Sequence, residues 1–455
     1  MWRLDDQTFL RRNALADRFS GSDRRGRGVE VVRLAAPNHR SSLAALFVGA
    51  VAARLIFCFV LFPRYFAASS TVGATYFFDS YREIATSVLS RGEYELETGV
   101  AALHRPPGYV PVIMAAVPTR PSSVALFQTY HAILGGLAVF VTYLLARSAR
   151  ASRIAAVAAG ATVGFWPFLI WESKVTVPEN LLVVLTPLLA FVLLRAGSRR
   201  SWRHAALAGL IAGYTALTHA LYQVVIPAAA VALVFMVRAS WRTRVVLASA
   251  FLVPAIGLTA SWVIRNSIHS GYSGLATGFG LHYWKGVYAH EVLRSNPRDY
   301  FRDHEVESTE YVGRMLRARG IDGIESNDER SDPARNELLD RMAVGHAVAN
   351  PVYTIEKTVA KIPLAWVQQQ SPLRSATTAL LVAPLLALAG VAAWLHRREL
   401  LPLWLPLLVL NVAAAMIFVE AMPMRYALPW IPLVAALDAV GMDRLVARLR
   451  LQPAA

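Results

Sequence analysis

Several short polar stretches of this 455-residue chain carry residue types suited to chemistry on charged groups. One holds Phe78-Asp79-Ser80-Tyr81 and, further on, His104-Arg105-Pro106-Pro107-Gly108-Tyr109. A carboxylate beside apolar side chains, its pKa raised by desolvation, works as a general base. An arginine stiffened by a following Pro-Pro is suited to gripping a phosphate with its forked donors. A second stretch reads Trp262-Val263-Ile264-Arg265-Asn266, then Thr277-Gly278-Phe279-Gly280-Leu281-His282-Tyr283-Trp284-Lys285-Gly286. Arg265, His282 and Lys285 can converge on an anion there, and the glycines permit close backbone approach. Two acids, Glu172 and Glu179, stand at the ends of neighbouring apolar runs, as do His219 and Arg425.

Each of these residues also has an ordinary structural role open to it. Asp79 fits the N-cap of a helix over 81–91, and Arg105 can snorkel to headgroups. Glu179 sits where a helix macrodipole tolerates negative charge, and His219 can be a hydrogen-bonded structural residue. Arg425 and the aromatic residues near it read equally as interfacial anchors. Arg54, in the middle of an apolar run, calls for a partner, and Glu172 or Glu179 would supply an ion pair. Metal-ligand spacings, a P-loop and Gly-x-Ser-x-Gly are all absent from the sequence. A divalent ion between carboxylates and a phosphate is compatible with the sequence but not required by it, so no metal or other cofactor is assigned.

The elements that must hold these residues are membrane helices. Hydrophobic residues make up 55% of the chain and charged residues 17%, with a mean hydropathy of +0.41. The apolar residues come in blocks of about 18 to 24, enough to cross roughly 30 Å of hydrocarbon. Ten spans are expected, near 43–62, 124–146, 154–171, 177–195, 205–219, 221–237, 245–264, 377–395, 401–419 and 426–446. A short apolar piece at 109–117 reads as re-entrant or interfacial. All but four of the 46 basic residues are arginine, and most fall in alternate breaks: Arg147–Arg153, Arg195–Arg203, Arg238–Arg244 and Arg397-Arg398. The positive-inside rule then places both termini in the cytoplasm and both long polar loops outside. The net charge of +16 reads as topology and attraction to anionic membrane lipids, not as nucleic-acid binding.

The expected organisation is a cytoplasmic basic tail (1–41), then an N-terminal membrane module (42–264) that includes an external loop (64–107). An external region with amphipathic helices (265–370) follows, then a three-helix membrane module (371–447) and a short tail (448–455). In the first loop Tyr81, Ile84, Ala85, Val88 and Leu89 recur at helical spacing, and Gly92 supplies a stop. In the second, Asp332-Pro333 opens a helix that Asn350-Pro351 breaks, and a further helix carries Lys357, Lys361 and Trp366 back to the membrane. Cys58, the only cysteine, rules out an intramolecular disulfide. No internal repeat is visible, which weighs against a transporter built from inverted repeats.

Taken in order, these pieces resemble the GT-C superfamily of membrane glycosyltransferases, especially bacterial relatives of protein mannosyltransferases and aminoarabinose transferases. The resemblance runs from about Leu43 to Val440. It rests on Asp79 and Tyr81, Arg105–Tyr109, Glu179, Trp262…Arg265-Asn266, the glycine stretch to Gly286, Asn350-Pro351 and Arg425-Tyr426…Pro429. It implies an all-α bundle of about ten spans that moves a sugar from a polyprenyl-phosphate donor to a cell-envelope acceptor, at the outer face of a bacterial cytoplasmic (inner) membrane. Carried over residue by residue, Asp79 becomes the general base and Glu179 orients sugar or acceptor. Arg105, Arg265, Lys285, Arg425 and His219 would hold the lipid phosphate. Tyr81, His104, Tyr109, Glu172 and His282 would position substrate. Ser80 stands where protein mannosyltransferases often carry Glu, which points away from protein O-mannosylation. His219 stands where relatives often carry arginine, and the modest outer segment argues against an oligosaccharyltransferase. A flippase of lipid-linked sugars and a non-catalytic membrane subunit are the alternatives.

Overall fold

The computed structural model describes residues 39–66, 80–97, 99–115, 123–297, 299–301, 304–321, 332–367, 371–417 and 423–451. The chain is an all-α polytopic membrane protein. Helix α1 (His39–Ile56) runs through a π turn to Tyr65. α2 (Tyr81–Arg91) is followed by a two-stranded hairpin, β1 (Glu95–Glu97) and β2 (Val100–Ala101). A 3₁₀ turn, Pro107–Tyr109, leads into the short α3 (Val110–Met114). Then come α4 (Ser123–Ser148), α5 (Arg153–Phe165), α6 (Pro167–Glu172), α7 (Glu179–Arg199) and α8 (Trp202–Thr218). A 3₁₀ turn, Ala220–Val224, precedes α9 (Val225–Met236), and α10 (Trp241–Ser270) follows. The second polar segment forms α11 (Phe279–Ser295), α12 (Glu305–Arg317), α13 (Pro333–Ala349), α14 (Pro351–Lys361) and α15 (Leu364–Val367). The chain closes with α16 (Pro372–Leu395), α17 (Leu401–Ile417), α18 (Pro423–Ala427) and α19 (Ile431–Leu451).

The expected spans fall largely on described helices, although 154–171 is divided between α5 and α6 and 426–446 runs through α18, a 3₁₀ turn (Leu428–Trp430) and α19. Five helices are long and apolar enough to cross a membrane: Ser41–Tyr65, Val124–Ser148, Glu179–Arg199, Trp241–Ser270 and Pro372–Leu395. Serines open several of the helices. Ser152, Ser201, Ser240 and Ser371 each accept a backbone N–H of the first turn, satisfying a donor the helix cannot. Gly209 and Gly213 of α8 face α10 at the four-residue spacing that lets membrane helices touch. A Cβ on Gly209 would lie 2.0 Å from the Phe251 carbonyl oxygen. Outward faces are apolar: Val253, Ile256 and Leu380 are more than half exposed, as suits side chains that meet lipid. The arginine-rich breaks gather at one end of the bundle, where Arg150, Arg200, Arg238 and Arg444 border one cavity.

Arg54 departs from expectation. It pairs with neither Glu172 nor Glu179; its guanidinium donates to the carbonyls of Gly164 (2.7 Å), Ala50 (3.0 Å) and Val163 (3.3 Å). The cause is Pro167, which breaks the expected span 154–171 into α5 and α6. Proline has no N–H to give the Val163 carbonyl four residues before it, so the freed acceptors fall to Arg54. Gly135 makes the space, since a Cβ there would lie 2.1 Å from Arg54 Nε.

In the second polar segment Asp332 caps α13, its Oδ1 accepting the Arg335 N–H at 3.1 Å, and Asn350-Pro351 separates α13 from α14. The glycine-rich stretch is not an open loop. Gly278, at φ 106°, starts α11, and Gly280 packs against the Leu339–Asp340 backbone, where a Cβ would be 2.3 Å away. Its close approach is therefore to a helix. Gly280 N–H donates to Asp340 Oδ1 at 2.7 Å, and Leu281, Tyr283, Trp284 and Leu339 form the core between the two helices.

Candidate functional site

At the end of the bundle opposite the arginine-rich breaks, α2 and the Arg105–Tyr109 turn form a roof. Helix α2 buries Tyr81, Ile84 and Ala85 and ends at Gly92 with φ 74°. The N-cap position is Ser80, at φ 62° with no capping side-chain bond. A non-glycine residue in the left-handed region costs about 1–3 kcal/mol and tends to persist where function holds it. Asp79 itself lies outside the described residues. Tyr81 meets Tyr109 edge to face, with ring centroids 5.2 Å apart, and the Arg105 guanidinium lies 5.6 Å over the Tyr81 ring. Tyr94 Oη donates to the Arg105 carbonyl at 3.0 Å. Gly108 lets the turn touch the end of α8, since a Cβ would lie 2.6 Å from Thr218 Oγ1, and Tyr214 Oη donates to its carbonyl at 2.6 Å. Thr277 N–H donates to the Leu103 carbonyl at 3.0 Å. The two polar segments expected to cooperate are thus bonded together beside the buried His104.

Beneath this roof lies the charged centre. Glu179 is the first residue of α7, where the helix dipole favours its charge. Arg425 grips it in a fork, Nε to Oε1 at 2.8 Å and Nη2 to Oε2 at 3.2 Å. The carboxylate side chain is 3% exposed and the arginine 23%. Glu172 ends α6 at the same mouth, beyond the apolar run. Burial pushes its carboxyl up to about 7, against the pull of Arg425, with Glu179 adding to the rise. His219 stands between α8 and the 3₁₀ turn that opens α9, and its Nδ1 accepts the Leu221 N–H at 3.3 Å. Glu179, Arg425, Arg105 and His282 all lie near enough to act on its ring electrostatically. Because Nδ1 accepts the Leu221 N–H, the ring proton resides on Nε2. It offers an anion an N–H and no positive charge.

Glu172, Glu179, His219, Arg425, Arg105, Tyr109, Tyr81 and His282 therefore act on one another in a single mouth. Two residues stand apart. Arg265 donates to the Tyr94 carbonyl (3.1 Å) and Asn266 Oδ1 (3.0 Å), and lies over the Trp262 ring at 4.9 Å. It joins the mouth through Tyr94. Lys285 is 1% exposed, inside the α11 layer. Sequence reasoning missed His131, which is 1% exposed. Its Nδ1 faces the Ser173 carbonyl at 3.2 Å, so that nitrogen carries the proton and Nε2 accepts from Tyr109 Oη at 2.7 Å. The signal was present, because a histidine inside an apolar run needs hydrogen-bond partners. Among the described residues, no group of three or more His, Cys, Asp or Glu is gathered as for a metal ion.

No family model and no curated protein matches the sequence. Solved structures do match the fold. The chain is similar to an oligosaccharyltransferase, AglB, from Archaeoglobus fulgidus. It superposes on that protein in complex with an inhibitory peptide and a dolichol-phosphate at TM-score 0.53 and 16% identity, covering 91% of this chain and 51% of that one. The same protein tethered to an acceptor peptide with the NVT sequon gives TM-score 0.54 at 16% identity, covering 91% and 50%. Its apo form also gives 0.54 at 16% identity, covering 91% and 51%. The chain spans about half the length of these proteins, and what it shares with them is the fold.

Proposed function

We propose that this chain is an inverting glycosyltransferase that moves a sugar from a polyprenyl-phosphate donor to a hydroxyl of a cell-envelope acceptor, at the outer face of a bacterial inner membrane. The observation that carries the reading is the Glu179–Arg425 fork, set among Glu172, His219 and Arg105 where the spans meet the two polar segments. An acid and several donors beside lipid-facing helices suit a substrate whose reacting atoms hang on a membrane-anchored phosphate. The fold shared with a glycosyltransferase whose complex holds a dolichol-phosphate supports a lipid-linked donor.

In this reading Asp79 takes the proton of the acceptor hydroxyl as its oxygen attacks the anomeric carbon. The bond from that carbon to the phosphate oxygen breaks, inverting the configuration, and the polyprenyl phosphate leaves carrying the electron pair. Negative charge grows on the leaving oxygen, so fixed donors aimed there lower the barrier. Arg105 and the exposed side of Arg425 supply charge, and His219 Nε2–H supplies a neutral donor. Arg265 steadies Arg105 through Tyr94, while the buried rings of Tyr81 and Tyr109 hold Arg105 in place from beneath. His282 borders the mouth from the α11 side, and Lys285, buried within that layer, takes no part. Orienting the nucleophile and stabilising the leaving phosphate need no metal in this scheme.

The test is release of free polyprenyl phosphate from lipid-linked sugar in membranes containing the protein, followed by mass spectrometry. Wild type should release it in step with sugar transfer. Release and transfer should both be lost in Asp79→Asn, at equal protein level. Transfer at the wild-type rate by Asp79→Asn would overturn the assignment.

A further inference from the structure

The arginine-rich end of the bundle holds a cavity that the proposed reaction does not use. Its volume is about 540 Å³, within the range of small-ligand pockets, about 300–1,000 Å³. It lies at the far end of α7 from Glu179, and that helix of 21 residues spans about 30 Å. The ends of α4, α7, α9 and α16 meet there, together with the last turns of α19.

Three observations mark it as more than a gap. First, among the described residues three non-glycine positions have positive φ, and two of them, Arg150 (72°) and Arg200 (50°), line this cavity. Both are the left-handed caps that end α4 and α7, so the backbone at the rim is held by helix-end hydrogen bonds. Second, the acids at the rim are engaged while arginines remain. Glu399 faces Arg150 at 3.6 Å, and Asp443 accepts the Ser152 hydroxyl at 2.7 Å. Arg200 donates to the Arg238 carbonyl at 2.8 Å, which aligns two lining residues. Neither Arg238 nor Arg444 has a carboxylate partner among the described residues. Third, Ser148 Oγ, a buried atom in the wall, has no hydrogen-bond partner there.

We propose that this cavity binds a phosphate group, presented by an anionic lipid headgroup or by free phosphate. Basic pockets between membrane helices hold phosphorylated headgroups in this way. Arg238 and Arg444 supply the charge, the Ser148 hydroxyl a neutral donor, and the capped helix ends at Arg150 and Arg200 fix the rim.

The test uses the full chain purified in detergent. Native mass spectrometry measures retention of phosphatidylglycerol, cardiolipin and phosphatidylethanolamine, and calorimetry measures inorganic phosphate. The comparison variants are Arg238→Ala/Arg444→Ala and Arg238→Lys/Arg444→Lys. Both side chains are exposed, so folding should survive, and a thermal melt checks that it does. The expected result is retention of phosphatidylglycerol or cardiolipin over phosphatidylethanolamine, weakened about tenfold or more by the alanine pair and partly restored by the lysine pair. Phosphate binding with the same arginine dependence, and no selective lipid retention, supports the site with a soluble source. Equal retention of all three lipids, or equal binding of lipid and phosphate by wild type and the alanine pair, overturns the proposal.

Discussion

Breaking the Glu179–Arg425 pair should destabilise the bundle and disable the mouth, and the two effects can be separated. Glu179 is 3% exposed and accepts both arginine nitrogens, at 2.8 and 3.2 Å. Removing one partner of a buried pair costs about 3–5 kcal/mol, because the other charge is left without a counter-ion. The positive end of α7 returns roughly 0.3–1 kcal/mol to an orphaned Glu179. Arg425→Met should therefore lose about 2–4 kcal/mol. Glu179→Gln should lose a similar amount, since a carboxamide accepts one bond where the carboxylate accepted two. The double variant should lose little more than either single, a coupling of about 2 kcal/mol. Thermal melts of detergent-solubilised protein, read by size-exclusion chromatography, close the cycle. Arg425→Lys keeps the charge but not the fork, so it should retain much of the stability while transfer falls about tenfold or more. Additive losses in the double variant would refute the pair, and full activity in Arg425→Lys would refute the fork's role.

The remaining predictions concern pH and packing. Lys357 is fully buried 3.6 Å over the Tyr283 ring, and burial lowers its pKa to about 7. Between about pH 7 and 10.5 the unfolded chain binds the proton that the fold rejects, so the melting temperature should rise with pH across that window and level off below it, where both states hold the proton. Lys357→Met should flatten the rise and stabilise the protein at pH 7. Glu172 loses its proton as pH rises through about 7, adding negative charge beside Arg425. KM for the lipid-phosphate donor should therefore climb above pH 7, and Glu172→Gln should remove the climb. Gly209→Ala would set a methyl 2.0 Å from the Phe251 carbonyl oxygen, so it should cost about 1–3 kcal/mol in a thermal melt.

Spans were legible because apolar run length is a one-dimensional quantity, and the serine caps, Gly92, Asp332 and Asn350-Pro351 act within a few residues of themselves. Misreadings occurred where a partner lies far along the chain. Arg54 was matched to distant acids, although Pro167 already signals an orphaned carbonyl at Val163 four residues earlier. Gly280 looked like a place for an anion to approach because its true neighbour, Leu339–Asp340, is about sixty residues away. For the site, residue types and membrane ends could be read, and Glu179, Glu172, His219 and Arg425 do share one mouth. Their pairing could not be read, since it joins the first turn of α7 to α18 across 246 positions. The arginine-lined cavity was equally hidden, because its walls come from five separate helix ends.

One measurement bears most directly on the central proposal: mass spectrometry of cell-envelope glycans from a strain lacking this gene, complemented with wild type or with Asp79→Asn. The account predicts that a single sugar disappears on deletion, returns with wild type, and stays missing with Asp79→Asn at equal protein level. Glycans unchanged by deletion, or restored in full by Asp79→Asn, would contradict it.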